Sequence, residues 1–231
     1  MAPTREASHS PHTHPHGDAT LHLDSGFGGL EGEARGLVER RYGDRGLSIG
    51  PERYSCRNQD GDIVCTARDQ GRVVGTLSVR FDGPDGLHAD LLFREELDDW
   101  RAEGLKLCEF GGLAVDKHSH EAKRVLAQIF HLGYLHAHRR AGCHRLIIEV
   151  NPRHVGFYRR CLGLAPRTAE RHNPRVNAPA VLMSVDLADV REQISRWGGQ
   201  PELMATARSL YPLAWGQAAE ATMLARLANS G

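Results

Sequence analysis

The sequence predicts an α/β fold in which helices flank a mixed central sheet, on three observations. Helix-type and strand-type periodicities alternate through one continuous stretch in the order helix, hairpin, helix, strand, long helix, strand, helix, strand. The strand, long helix, strand succession from Lys106 to Val150 requires a right-handed crossover and therefore a parallel pair. A length of 231 residues with 40% apolar and 25% charged suits one packed core with extensions rather than two ordinary domains.

Residues 1 to about 26 hold no periodic apolar pattern, and 1–30 are expected to be a disordered His-rich tail ahead of a domain over 31–187. His9, His12, His14, His16 and His22 are spaced closely enough to converge on an ion but match no closed tetrahedral pattern, so no metal site is assigned. Glu31 to Leu47 reads as a weakly amphipathic helix interrupted by Gly36 and Gly43. Asp62 to Asp69, the turn Gln70-Gly71 and Arg72 to Phe81 make a hairpin. Gly83-Pro84-Asp85-Gly86 forces a loop before a short helix, Arg94 to Glu103, and Lys106 to Val115 returns to strand.

The clearest helix runs from Ser119 to Ala141. Ala122, Val125, Leu126, Ile129, Gly133, Leu135 and Ala137 approximate one face, with Lys123, Arg124, Gln128, His131 and His138 largely outside it. Arg145 to Val150 is a buried strand. Pro152 suits a first helical turn, so Arg153 to Cys161 is a helix closed by Gly163. A polar loop from Arg167 to Asn177 leads to a last strand, Ala180 to Val185. Residues 188–231 form a helical extension interrupted at Pro201 and Pro212, expected to pack on the core.

Several function classes drop out. No stretch reaches the roughly 18 apolar residues of a membrane span, and no secretory h-region is present, so a cytoplasmic protein is expected. Cys56, Cys65, Cys108, Cys143 and Cys161 contain no C-x-x-C pair and suggest no disulfide framework. A formal net charge of zero argues against bulk nucleic-acid binding. Between Lys117 and Arg175, however, twelve Lys or Arg face only Glu121, Glu149 and Glu170, a net of plus nine that would attract an acidic partner.

The run Glu109-Phe110-Gly111-Gly112-Leu113-Ala114-Val115-Asp116, the long helix, an apolar strand and then Asn151-Pro152-Arg153-His154-Val155-Gly156-Phe157-Tyr158 together resemble the GCN5-related N-acyltransferase superfamily. Within it the chain is most similar to the FeeM-type N-acyl amino acid synthases and, more remotely, to the acyl-homoserine-lactone synthases. Val74-Gly75-Thr76-Leu77, the segment Gly86 to Phe93, Cys108-Glu109 and Asn177 to Leu182 carry the likeness further, from about Arg57 to Asp186.

The resemblance implies an acyl-CoA N-acyltransferase (GNAT-like) fold with splayed central strands, an N-acyltransferase domain at 31–187, and transfer of an acyl group to an amine. Attack on a thioester places negative charge on the carbonyl oxygen, so fixed backbone donors around Leu113, Ala114 and Val115 would lower the barrier. An ammonium cannot attack, and Glu109 matches the carboxylate credited with accepting its proton. Tyr158 matches a tyrosine that protonates the departing thiolate, with Phe157 beside it. Asn151 would hold the pantetheine chain, Arg153 and His154 at a helix start would meet a phosphate, and Arg80 falls near an acceptor-site arginine.

Two departures from the pattern shape the rest. The segment His118 to Arg124 lacks the glycines that cradle a pyrophosphate, which weakens a coenzyme A reading; the resemblance to the FeeM-type and lactone synthases implies acyl carrier protein, an acidic partner, as donor of its acyl-phosphopantetheine, with coenzyme A as the alternative and no cofactor resident. Gly111 and Gly112 stand where the synthases usually show Ser or Thr then Lys or Arg, so they widen the cleft or permit a bulge. The expected function is transfer of a fatty acyl group to an amino acid or small amine. The alternatives are an acetyl-CoA-dependent N-acetyltransferase and a non-catalytic carrier- or lipid-binding module.

Overall fold

The computed structural model describes residues 21–28, 31–44, 46 and 62–229. The histidines at positions 9, 12, 14 and 16, Cys56 and the end of the first expected helix at Leu47 lie outside the described residues. The strands are β1 (His22–Phe27), β2 (Ile63–Asp69), β3 (Arg72–Phe81), β4 (Leu107–Val115), β5 (Arg145–Val150), β6 (Ala165–Pro166), β7 (Arg171–Asn173) and β8 (Ala178–Asp186). They join in the order β1-β2-β3-β4-β5-β8-β6, with β7 on β8, and only β4–β5 is parallel. The helices are α1 (Gly32–Gly43), α2 (Asp90–Ala102), α3 (Ala122–Tyr134), α4 (Pro152–Leu162), α5 (Leu187–Trp197), α6 (Met204–Ala207) and α7 (Gln217–Asn229). The mixed α/β class and the parallel crossover pair are as expected.

The main core lies between the sheet and α3, α4 and the C-terminal helices. A second cluster, including Phe93, Leu97, Leu107, Ile147 and Leu182, lies under α2 on the opposite face. α3 can sit close on β3 and β4 because Gly133 has no side chain: a Cβ there would fall 2.6 Å from Leu77 Cδ2 and 2.9 Å from the Phe110 ring. The helix then runs on as a π-turn over Leu135–Arg140.

Four sequence expectations need correction. His22–Phe27, assigned to the tail, is an edge strand paired with β2, with Leu23 buried in the core and Ser25 Oγ 2.8 Å from His136 Nε2. One buried side chain in six leaves no apolar alternation to detect. α2 begins at Asp90 rather than Arg94; Phe93 breaks it with φ −129° and ψ 29°, which hides the first turn. The loop from Arg167 to Asn177 contains β7, where Arg171 reaches the Leu92 carbonyl and Glu96. Gln128 and His131, placed outside the apolar face of α3, are both buried, and the extension covers His131: Trp215 N donates to His131 Nδ1 at 3.1 Å, and Glu220 lies 3.3 Å from Nε2.

The extension also finishes α4. Leu210 N donates to the Cys161 carbonyl and Tyr211 OH to the Leu162 carbonyl at 2.7 Å, satisfying carbonyls that a helix end leaves open. No helix among the described residues is long and apolar enough to cross a membrane.

Candidate active site

The central feature is a divergence of the two parallel strands. β4 and β5 share three rungs, Leu107↔Arg145, Cys108↔Leu146 and Glu109↔Ile147, and no pairing beyond. Each strand continues on its outer neighbour, β4 with β3 as far as Val115 and β5 with β8 as far as Val150. The facing edges of Phe110–Val115 and Ile148–Val150 therefore carry backbone groups with no strand partner across the gap.

A bulge bends β4 at this point. Its register with β3 steps from Ser78↔Gly111 to Thr76↔Ala114, so Gly112 and Leu113 together oppose Leu77. Gly112 has φ +56°, the left-handed region that suits glycine, and an extra residue of this kind twists and bends a strand. Gly111 does something different. Its φ is ordinary, and a Cβ there would meet Ser78 Oγ at 3.3 Å on the face where Glu109 points. Of the two readings the sequence left open for this pair, Gly112 makes the bulge.

Glu109 occupies the last rung before the gap. It is 5% exposed, and its Oε2 accepts hydrogen bonds from His88 N at 2.6 Å and Ala89 N at 3.3 Å. Burial, reinforced by the negative Glu149 nearby, pushes its carboxyl up to about 8 against the lowering effect of Arg175 and the two amides. Arg80, its Cα partner on β3, is 8% exposed and bound to Asp62 at 2.8 Å. His88 is pushed down to about 3 by burial and by the positive Arg80 and Arg175, so it is neutral at working pH. Glu149, on β5, is raised by burial, offset by Arg175 and Asn173.

The turn that supplies the two amides is itself tied down. Leu87 N donates to Asp90 Oδ2 at 2.7 Å, and Arg101 grips both oxygens of Asp90 and both of Asp82. Arg101 and Leu87 hold the Asp90 carboxyl below the usual carboxylate range although burial opposes them. Arg101→Ala leaves Asp90 charged and buried without its partner, and is expected to lower unfolding free energy by about 3 kcal/mol in chemical denaturation.

The other expected residues fall into two groups. Leu113 and Val115 pack on the main core, while Ala114 is buried with Leu37, Val38 and Val73 beneath α1; all three line the β4 edge of the gap. Tyr158 and Phe157 lie on α4, packed edge to face at 5.4 Å, and Phe130 is 6.5 Å from Tyr158. Asn151 is the N-cap of α4: its Oδ1 accepts from Arg153 N at 3.3 Å and its Nδ2 donates to the Pro179 carbonyl. Arg153 is exposed and contacts His154. The sequence reading missed His88, Glu149, Asn173 and Arg175. The available signal was Glu149 itself, a lone carboxylate inside the apolar strand Arg145–Val150.

Behind the gap, on the α3 face, lies an apolar cavity of about 30 Å³ lined by residues including Phe110, Phe130, Leu146, Leu162 and Tyr211. Among the described residues no group of three or more His, Cys, Asp or Glu could hold a metal ion.

The family model of N-acyl amino acid synthase FeeM matches residues 33–186, about two thirds of the chain. The chain belongs to the FeeM family. The structure of FeeM, an N-acyl amino acid synthase from uncultured soil microbes, is similar at 26% identity and TM-score 0.65, covering 76% of this chain and 96% of that one. A putative N-acetyltransferase from Lactobacillus plantarum (17% identity, TM-score 0.51, 72% and 98% covered) and the AHL synthase LasI (15%, 0.51, 73% and 91%) share the fold. No curated protein sequence matches the chain. This FeeM-family chain is thus an N-acyltransferase with the GNAT fold, as the sequence indicated. The family match ends at 186, so the extension that covers α3 and α4 lies outside it.

Proposed function

We propose that the chain is an N-acyl amino acid synthase that moves a fatty acyl group from the phosphopantetheine arm of acyl carrier protein to the amine of an amino acid or small amine. The observation that carries this reading is the strand gap with a buried carboxylate at its apex, Glu109, which burial pushes up to about 8. Pantetheine is an extended chain of amides, and unpaired strand edges offer it complementary hydrogen bonds. Edge amides of Leu113 to Val115 stabilise the oxyanion, Glu109 removes a proton from the amine, and Tyr158 returns one to the thiolate. The apolar cavity takes the end of the acyl chain. At about 30 Å³ it accepts a short end as it stands, and a long chain requires its lining side chains to move apart.

Two observations favour carrier protein over coenzyme A. In the β4–α3 connection two amides are spent internally, His118 N on Asp116 Oδ1 and Ser119 N on the Asp116 carbonyl, and no glycine lets the backbone close around a pyrophosphate. Of the twelve cations between Lys117 and Arg175, six pair with carboxylates. The remaining charge includes Lys123 on α3 and Arg153, Arg159 and Arg160 on α4, all exposed.

Incubating the protein with acyl carrier protein and coenzyme A thioesters of graded length and a mixture of amino acids tests the reading. Acylated amino acid from the carrier donor, detected by mass spectrometry, supports it; product from coenzyme A thioesters alone overturns the choice of donor, and no product from either overturns the function. Reversing Arg159 and Arg160 to Glu is expected to lower kcat/KM for acyl carrier protein by about 10-fold at low salt, converging with wild type at high salt, while a free acyl-pantetheine is used equally well by both.

A further inference from the structure

Glu149 carries a buried oxygen with nothing bound to it. The residue lies on β5 two positions beyond the last rung, so its side chain projects on the same sheet face as Ile147 and Glu109, at the mouth of the gap. Its side chain is 10% exposed. Oε2 is occupied by Asn173 Nδ2 at 2.8 Å and by Arg175, whereas Oε1 is buried and has no partner. A buried carboxylate oxygen is costly to leave unbonded, and such groups in native proteins are nearly always satisfied.

The charges around this oxygen leave room for one more cation. Arg80 from β3 is cancelled by Asp62, Arg175 is cancelled by Glu149, and His88 from the turn before α2 is neutral. Glu109 from β4 has amide donors but no ion pair. With Glu109 ionised the pocket is therefore one positive charge short, and with Glu109 protonated it is neutral. Among the described residues an ionised Glu109 leaves this charge unbalanced, and a cation held between the two carboxylates would balance it.

We propose that Glu149 is the ammonium anchor of the acceptor, its unpartnered Oε1 accepting one N–H of a primary ammonium while Glu109 accepts another. This rests on the acyltransfer reading of the cleft. Arrival of the ammonium displaces the Glu109 proton to solvent, and the ionised Glu109 is then in place to take a proton from the bound ammonium. The N–C bond forms and the C–S bond breaks; of the three ammonium hydrogens one remains on the amide, one goes to Glu109, and one replaces the proton that Tyr158 gives to the departing sulfur. The anchor also sets specificity, since a quaternary ammonium has no N–H to give to Oε1.

The test follows the carboxyls of the full chain, labelled with carbon-13 glutamate, by NMR titration with ethylammonium and with tetramethylammonium as probes. In the wild type, ethylammonium at millimolar concentration is expected to lower the Glu109 titration midpoint and tetramethylammonium to leave it in place. In Glu149→Gln the midpoint falls by about one unit without any amine, because a like charge has gone, and ethylammonium no longer moves it. Glu149→Asp keeps the charge but shortens the arm, so the midpoint stays high and the ethylammonium response weakens. In the transfer assay, Glu149→Gln raises KM for the amine at least about 10-fold and leaves KM for the thioester unchanged. Equal effects of the two amines on wild type, or an unchanged midpoint and amine response in Glu149→Gln, overturn the proposal. NMR responses as expected in a protein that transfers no acyl group would keep the anchor and overturn the transfer reading instead.

Discussion

Replacing Glu109 by Gln is expected to reduce turnover by about 10²–10⁴-fold, the range for loss of a positioned proton acceptor. The substitution is a sharp probe because it is nearly isosteric: the Gln carbonyl oxygen can still accept from the amides of His88 and Ala89 that bind Oε2. What disappears is proton affinity. With the carboxyl held near 8 by burial and the negative Glu149, wild-type kcat/KM should rise with pH through about 8 and then level, and this limb should be absent in Glu109→Gln. A rate–pH profile of both proteins checks it; a retained limb would assign the titration to another group. Stability should move in the opposite direction. A carboxyl raised from 4.5 to about 8 favours the fold fully below pH 4.5 and loses that contribution as pH rises through 8. The variant carries no such loss, so urea midpoints should match wild type near pH 4 and exceed it near pH 9.

The sequence made the hairpin legible to within a residue, because Gln70-Gly71 combines a strong turn pair with alternating flanks; both turn residues adopt positive φ. β5 and the glycine end of α4 were equally plain, Gly163 closing the helix at φ 76°. β1 and β7 were not, since a short edge strand takes its stability from a neighbour's backbone rather than from its own side chains. The site divides in the same way. Glu109 and the glycine pair stand in the motif that resembles the synthases. His88, Asn173, Arg175 and Glu149 come from three separate segments, and no spacing rule joins them. The basic segment misled in a further respect: four of its twelve cations pair with carboxylates that folding brings in from outside it, Asp44, Glu96, Asp186 and Glu220.

Gly112→Val should separate folding from catalysis at the bulge. At φ +56° a side chain strains the backbone by about 1–2 kcal/mol, more for a β-branched residue, and the chain can relieve it only by moving toward regular strand geometry. Regular geometry would straighten β4 and draw its edge toward β5, closing the gap that Leu107, Cys108 and Glu109 leave when pairing stops. The expected outcome is a folded protein, less stable by the strain alone, whose turnover falls by about 10²–10³-fold as the oxyanion donors leave their positions. Gly111→Ala is the matched comparison: its φ is unstrained and its Cβ needs only a small shift of Ser78 Oγ, so stability and turnover should stay within a few-fold of wild type. Equal losses in the two variants would mean that open space on the Glu109 face, and not the bend in β4, is what the glycine pair provides.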